Sequence, residues 1–149
     1  MTTIAAISTG LAPGGIGIVR ISGEDAVKIA DSGFESFSGR KISQLAGYTA
    51  LYGRAKDKDT YLDTAVALFF RGPKSYTGED VVEISCHGGL YVCKRVLRAV
   101  FEAGAVPAEA GEFTKRAFLN GKMDLTGAES VMSIISAHGE EAEKIALKK

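Results

Sequence analysis

Residues 111–129, GEFTKRAFLNGKMDLTGAE, are the stretch around which this chain is organised. Phe113 and Ala117 lie one turn apart on a helix, and Asn120-Gly121 is a typical helix end, because both residues tolerate the left-handed conformation of a C-terminal cap. The chain is therefore expected to reverse at Lys122. The stretch predicts a helical hairpin, and the simplest interpretation of Lys122 is a solvated loop residue.

The second helix of this hairpin is predicted to begin at a capping box. Thr126 precedes Glu129 by three residues, a spacing in which the two side chains satisfy backbone donors at the helix start. Apolar residues follow at spacings of three and four, with Gly139 in the one vacant place. These residues are Leu125, Ala128, Met132, Ile135, Ala142 and Ala146. The pattern predicts a long apolar seam that needs a partner surface.

Length and composition indicate one ordinary globular domain. The chain has 149 residues, of which 46% are hydrophobic and 24% charged, values typical of globular proteins. Eighteen basic residues balance eighteen acidic ones, so the charge provides no footprint for nucleic acid. No apolar run is long enough to span a membrane, and the N-terminus lacks the basic start of a signal peptide. We therefore expect a cytoplasmic protein.

Two cysteines, Cys86 and Cys93, and two histidines, His87 and His138, are too few for a disulfide framework or a convincing zinc site. Both cysteines are expected to be small buried hydrophobic residues. A Cys86 nucleophile with His87 as its base is disfavoured, because adjacent residues of a strand point to opposite faces.

Upstream of the hairpin, the sequence predicts strands and helices in mixed order. Ser22 is a candidate cap for a helix that ends at Gly33, a second helix is expected over 90–103, and residues 35–47 are predicted to form a loop. Residues 105–108 are a candidate last strand. Residues 48–55 and 62–70 are predicted to form a β-hairpin, whose second strand should be central because both of its faces are largely apolar. The main predicted strands are 4–8, 16–21, 48–55, 62–70 and 81–86.

Arg20 and Glu83 are charged residues within otherwise apolar strands. Arg20 is either an arginine at the end of an edge strand or a group that addresses a carboxylate or a planar ring. A carboxylate along a core strand is costly unless it is paired or exposed. Glu83 is therefore a solvated or salt-bridged residue, or an acceptor for the adjacent N–H donors of a flat heterocycle.

Glycine-rich segments do not predict a nucleotide site. GGIGIV, residues 14–19, leads into a strand, whereas a dinucleotide-binding loop must open a helix. Gly121-Lys122 lacks the remaining residues of a phosphate-binding loop. We therefore expect no GTP hydrolysis by this chain alone.

Three stretches together resemble the MnmE (TrmE) family of tRNA-modification GTPases. They are GGIGIVRISG (14–23), GPKSYTGEDVVEISCHGG (72–89) and GEFTKRAFLNGKMDLTGAE (111–129), in the order of the family. The resemblance implies that Arg20, Glu83 and Lys122 bind 5-formyltetrahydrofolate. Glu83 would pair with the amino edge of the pterin, while Arg20 and Lys122 would address polar oxygens or the glutamate tail.

The resemblance also implies an organisation. Residues 1–118 would form a folate-binding, dimerising α+β domain similar to aminomethyltransferases, with a mixed or antiparallel sheet and packed helices. Residues 119–149 would begin a helical domain, so that the chain is an N-terminal piece. GTP, magnesium and potassium would bind only in a GTPase domain that the chain lacks. The implied partners are a second copy, a flavin-dependent protein and, through the full complex, tRNA, whose wobble uridine is modified; no membrane is implied.

Two departures from the family concern loops. Leu11-Ala12-Pro13 replaces a Pro-Gly-basic sequence, and Ala110 replaces a proline. Both departures affect the shape of loops more than the proposed folate-binding residues. Two other functions stay open at this point. One is a stand-alone aminomethyltransferase-like enzyme, disfavoured because no acid/base constellation emerges, and the other is a pure dimerisation module.

Overall fold

A computed structural model describes residues 1–8 and 15–135 of the chain. Strands and helices are interspersed along the sequence, and a short 3₁₀ turn at Ile42–Gln44 precedes the hairpin of the two longest strands. The elements are β1 (Ile4–Ile7), β2 (Gly17–Ser22), α1 (Ala26–Ala30), β3 (Phe34–Ser36), β4 (Thr49–Asp57), β5 (Thr60–Phe70), β6 (Val81–Cys86), α2 (Gly89–Glu102), β7 (Val106–Pro107), α3 (Glu112–Leu119) and α4 (125–135). The division into domains at residue 118 stays a prediction.

The strands form one seven-stranded sheet in the order β3-β4-β5-β6-β2-β1-β7. Every neighbouring pair is antiparallel except β1 and β7, which are parallel. A mixed sheet with packed helices confirms the predicted α+β class. The hairpin of β4 and β5 is also confirmed, and β5 is an interior strand, as its apolar faces predicted.

Helices α1 and α2 contribute to one continuous core with the sheet. Val19, Ile84, Ala67 and Leu51 occupy one row of paired positions across β2, β6, β5 and β4, and all four are buried. The predicted buried stripe of α1 is confirmed, since Ala26, Ile29 and Ala30 are all buried. Burial of this apolar surface is the main source of stability.

The adjacent row lies on the opposite face of the sheet, because side chains alternate along a strand. It contains Arg20, Glu83, Leu68 and Ala50 in direct register. Arg20, Glu83 and Leu68 are partly buried and Ala50 is exposed. This row places the two predicted site residues side by side on the more accessible face.

Gly53 of β4 permits a close approach of the edge strand β3. It pairs with Ser36 of β3, and a Cβ at this position would lie 2.1 Å from the backbone oxygen of Glu35 and 2.8 Å from the Cα of Ser36. Real Cβ atoms do not approach backbone so closely, so only glycine fits here.

Two predictions for the first third of the chain are wrong. Ser22 is the last residue of β2, and α1 begins at Ala26 without a side-chain cap. The predicted loop 35–47 contains most of β3 and the 3₁₀ turn. In both places contacts distant in sequence, described below, decide the local structure.

The start of α4 is also different from the prediction. Helical structure begins at residue 125, and the Asp124 side chain accepts a hydrogen bond from the Gly127 N–H at 2.7 Å. Asp124 is therefore the cap, and Thr126 lies inside the helix. Of the predicted seam, Ala128 is buried and Leu125 is exposed, while Gly139, Ala142 and Ala146 lie outside the described residues.

Candidate functional site

A cleft of about 410 Å³ opens beside the C-terminal end of β1 and the adjacent Arg20 of β2. Its walls are residues 6–8, Arg20, Tyr76, residues 108–111, the first turn of α3 and the last described turns of α4. The site thus combines the sheet, the 71–80 loop and the two helices α3 and α4. A concave surface with few convergent polar groups is the usual form of a small-molecule site.

Arg20 and Glu83 form an ion pair beside this cleft. They are direct neighbours on β2 and β6, and Arg20 Nε donates to Glu83 Oε2 at 2.9 Å. The side chains are 25% and 18% exposed, respectively. The contact uses one nitrogen and one oxygen, so the pair does not require the other guanidinium nitrogens or Oε1 of the carboxylate.

Two aromatic rings lie close to the guanidinium of Arg20. The ring centroids of Tyr76 and Phe113 each lie 5.4 Å from its Cζ, within the range of cation–π attraction. The Tyr76 hydroxyl shares a hydrogen bond of 2.9 Å with Thr114 Oγ1. Sequence reasoning did not select either ring for the site, although both residues lie in the stretches that carry the family resemblance.

A buried polar cluster, formed by Ser22, Thr77, Glu79 and Arg116, lies behind these rings. Arg116 Nη1 donates to both carboxylate oxygens of Glu79, at 3.0 and 3.1 Å. Ser22 Oγ donates to Glu79 Oε1 at 2.8 Å and lies 2.7 Å from Thr77 Oγ1. We call these four residues the Arg116 cluster. No short stretch of sequence indicates this cluster, because its members come from three distant segments.

Lys122 lies outside the lining of the cleft. Its side chain is exposed, and a Cβ at Gly78 would lie 3.5 Å from its Cγ. Gly121, with a φ of 73°, adopts the left-handed conformation that the sequence predicted for the end of α3. The structure therefore brings Arg20 and Glu83 into contact and leaves Lys122 on the adjacent surface, against the 71–80 loop.

The cysteines have the properties of core residues. Cys86 and Cys93 are fully buried, and burial raises the pKa of both thiols. His87 Nδ1 lies 2.8 Å from Thr64 Oγ1. A thiol that resists ionisation is a poor nucleophile, in agreement with the expectation from the sequence.

Within residues 1–8 and 15–135, no group of three or more metal-ligating side chains could hold a metal ion. Over the same residues, no helix is long and apolar enough to cross a membrane.

Comparison with known proteins gives the family of the chain. The sequence model of the family described as "GTP-binding protein TrmE N-terminus" matches residues 3–122. A tRNA modification GTPase MnmE of Clostridioides difficile (strain 630) is 48% identical over 144 residues, which are 97% of this chain and 31% of that protein. The MnmE of Symbiobacterium thermophilum is 51% identical over 141 residues, which are 94% of this chain and 31% of the relative.

The chain thus spans about 31% of the length of these relatives. The similarity includes Arg20, Glu83 and Lys122, which all lie within the residues matched by the family. The chain belongs to the family of TrmE N-terminal domains.

Proposed function

We propose that this chain is the part of a tRNA-modification GTPase that binds 5-formyltetrahydrofolate and joins two subunits. The observation that carries the proposal is the cleft lined by Arg20. The guanidinium of Arg20 contacts the carboxylate of Glu83, and two aromatic rings lie within cation–π distance of it. Folates offer a flat pterin with adjacent N–H donors and an anionic tail. The cleft and its margin supply a carboxylate, cations and aromatic surfaces, which match that ligand chemically.

Each of the three predicted folate-binding residues has a distinct role in this proposal. Oε1 of Glu83 accepts from the amino edge of the pterin, while Oε2 keeps its contact with Arg20. Arg20 presents its remaining nitrogens and its planar face to the ligand. Lys122, at the margin, attracts the carboxylates of the glutamate tail, because an exposed ammonium on a flexible stem can follow a mobile anion.

The activity of the whole protein belongs to the same proposal. The relatives are named tRNA modification GTPases. We infer that the longer protein works in the cytoplasm with a flavin-dependent partner to modify the wobble uridine of tRNA. GTP, magnesium and potassium would act in a GTPase domain, and the folate would supply the carbon.

Calorimetric titration with 5-formyltetrahydrofolate tests the proposal. We expect saturable binding with one site per chain, and much weaker binding of p-aminobenzoylglutamate, which keeps the tail and lacks the pterin. Heat changes equal to those of buffer would contradict folate binding and leave the dimerisation module as the explanation. Turnover of the folate by this chain alone would instead favour the stand-alone enzyme.

The dimerisation part of the proposal rests on the accessible face of the sheet. Beside the row of Arg20 and Leu68, Tyr52 and Val66 are paired on the same face, and Tyr52 is 56% exposed. Large exposed apolar patches mark association sites, and tyrosine and arginine are enriched at such interfaces. A second copy is the occupant that we propose, because one self-complementary surface is sufficient for a symmetric dimer.

Light scattering after gel filtration should give twice the chain mass of 15.7 kDa. Tyr52→Asp should shift the protein towards the monomer, because it would place a charge in the proposed contact surface of each copy. Leu125→Asp is the matched control, since Leu125 is 57% exposed on α4. A monomeric mass for the unmodified chain at high micromolar concentration would contradict dimerisation, and dissociation by Leu125→Asp alone would assign the contact to α4.

A further inference from the structure

We propose that the ion pair between Arg116 and Glu79 is the positioning element of the ligand cleft: it fixes the 71–80 loop on α3, so that Tyr76 and Phe113 both stay close to the guanidinium of Arg20. The inference rests on the proposed binding of a folate. It assigns a role to two residues that need not touch the ligand.

The first argument is the burial of the pair. The Arg116 side chain is 4% exposed and that of Glu79 is 16% exposed. Arg116 also lies 3.4 Å from Glu112 Oε2, one turn earlier on α3. Burying an ion pair is costly, and apolar residues of similar volume often provide equal stability. Stability alone therefore gives little reason for a buried arginine here, whereas fixed geometry does.

The second argument is the place of the two rings relative to the pair. Tyr76 precedes Glu79 by three residues in the loop, and Phe113 precedes Arg116 by three residues on α3. Residues three apart on a helix are neighbours. Arg116 is therefore a neighbour of Phe113 on α3, and its ion pair with Glu79 joins the two segments that carry the rings.

The third argument is that the other contacts between these segments are uncharged. The Tyr76 hydroxyl bonds Thr114, and Asn120 Nδ2 donates to the Thr77 carbonyl oxygen at 2.8 Å. Neutral hydrogen bonds are weaker than hydrogen bonds between charged groups. The Arg116 cluster is thus the strongest restraint on the separation of the rings.

Arg116→Met and Arg116→Lys test the role, and Arg95→Met on α2 is the matched control. Arg95 Nε donates at 2.7 Å to Asp57, and the two side chains are 25% and 5% exposed. The control thus breaks a partly buried ion pair, while Asp57 keeps its contact with Arg98. Three quantities are measured in each variant: the affinity for 5-formyltetrahydrofolate, the melting temperature and the emission of a reporter. The reporter is Phe113→Trp, which introduces a single tryptophan because the chain has none.

If the pair positions the rings, Arg116→Met should weaken folate binding roughly tenfold, a change of about 1.4 kcal/mol. Arg116→Lys should have a smaller effect, because lysine restores the charge without the planar fork. Arg95→Met should leave the affinity unchanged even where it lowers the melting temperature equally. In the Tyr76→Ala background, Arg116→Met should change the affinity much less, since the ring through which it acts is gone.

The tryptophan reporter separates this inference from the proposed function. Arg116→Met should shift the emission to longer wavelength and increase quenching by acrylamide, and Arg95→Met should do neither. If the unmodified chain binds no folate but the reporter responds in this way, the proposed function fails and the positioning role stands. Unchanged emission together with unchanged folate affinity in folded Arg116→Met or Arg116→Lys would overturn the positioning role.

Discussion

Glu83→Gln is expected to weaken the binding of 5-formyltetrahydrofolate at least roughly tenfold, because charged hydrogen bonds contribute about 1.5 to 3 kcal/mol. Glutamine keeps the size of the side chain but presents an amide donor. Towards the N–H edge of a pterin, this is a mismatch in addition to a lost charge. The affinity is measured by calorimetric titration of both proteins at the same pH and salt concentration.

The structure adds a stability measurement to this prediction. Glu83 pairs with Arg20, and both side chains are partly exposed, so loss of the pair should lower the free energy of unfolding by no more than about 1 kcal/mol. A clearly lower melting temperature with unchanged folate affinity would make the pair a structural salt bridge. Glu102→Gln is the control, because Glu102 of α2 also forms an ion pair, with the exposed Lys58 between β4 and β5.

Arg20→Ala and Lys122→Ala extend the same experiment. Arg20→Ala should weaken folate binding most, since Arg20 lines the cleft, and Lys122→Ala should weaken it less and lose its effect at high salt. Intact binding by the unmodified chain, with unchanged affinity in all three variants, would refute the pocket.

Gly53→Ala is expected to have the largest effect on stability. A methyl group would collide with the backbone of Glu35 and Ser36, and backbone atoms in a sheet cannot rotate away as a side chain can. Overpacking of this kind costs about 3 kcal/mol, which corresponds to a melting temperature lower by roughly 10 °C for a chain of this length. Thermal unfolding followed by circular dichroism gives the value.

Gly15→Ala is the matched control for this substitution. A Cβ at Gly15 would meet no atom of residues 1–8 or 15–135 within 4 Å, so the melting temperature of Gly15→Ala should stay within about a degree or two of that of the unmodified chain. Equal melting temperatures for Gly53→Ala and Gly15→Ala would show that β3 can separate from β4 without loss of stability.

The sequence was most informative where the determinants of structure are local. Alternation of apolar residues and the flanking turns predicted the hairpin of β4 and β5 and the bounds of β6. In contrast, β3 has only three residues and depends on its pairing with β4 at Gly53. No pattern within the segment itself could indicate such a strand.

Ser22 shows why local patterns can also mislead. A serine before Asp25 and an apolar stripe is typical of a helix cap, yet its hydroxyl contacts Thr77 and Glu79, which are 55 and 57 residues away. A helix cap would have paired this hydroxyl with a backbone N–H, whereas its partners are two distant side chains. A buried cluster that recruits distant residues is invisible to any short sequence window.

The candidate site was predictable only where its residues stand out from their local pattern. Charged residues within apolar strands singled out Arg20 and Glu83, and strand register explains why they meet. The family resemblance, not a physical pattern, selected Lys122. Tyr76 and Phe113 were missed because an aromatic residue at a turn or on a helix is usually part of the core.

The cleft has one wall from α4, and this has a thermodynamic consequence. Val131 and Ile135 line the cleft, and the packing of Met132 against Gly111 is so close that an added Cβ would lie 2.2 Å from its sulfur. A ligand that needs this wall binds better when α4 is docked, and by linkage it favours docking by the same factor. A ligand bound against this wall would therefore oppose any displacement of α4.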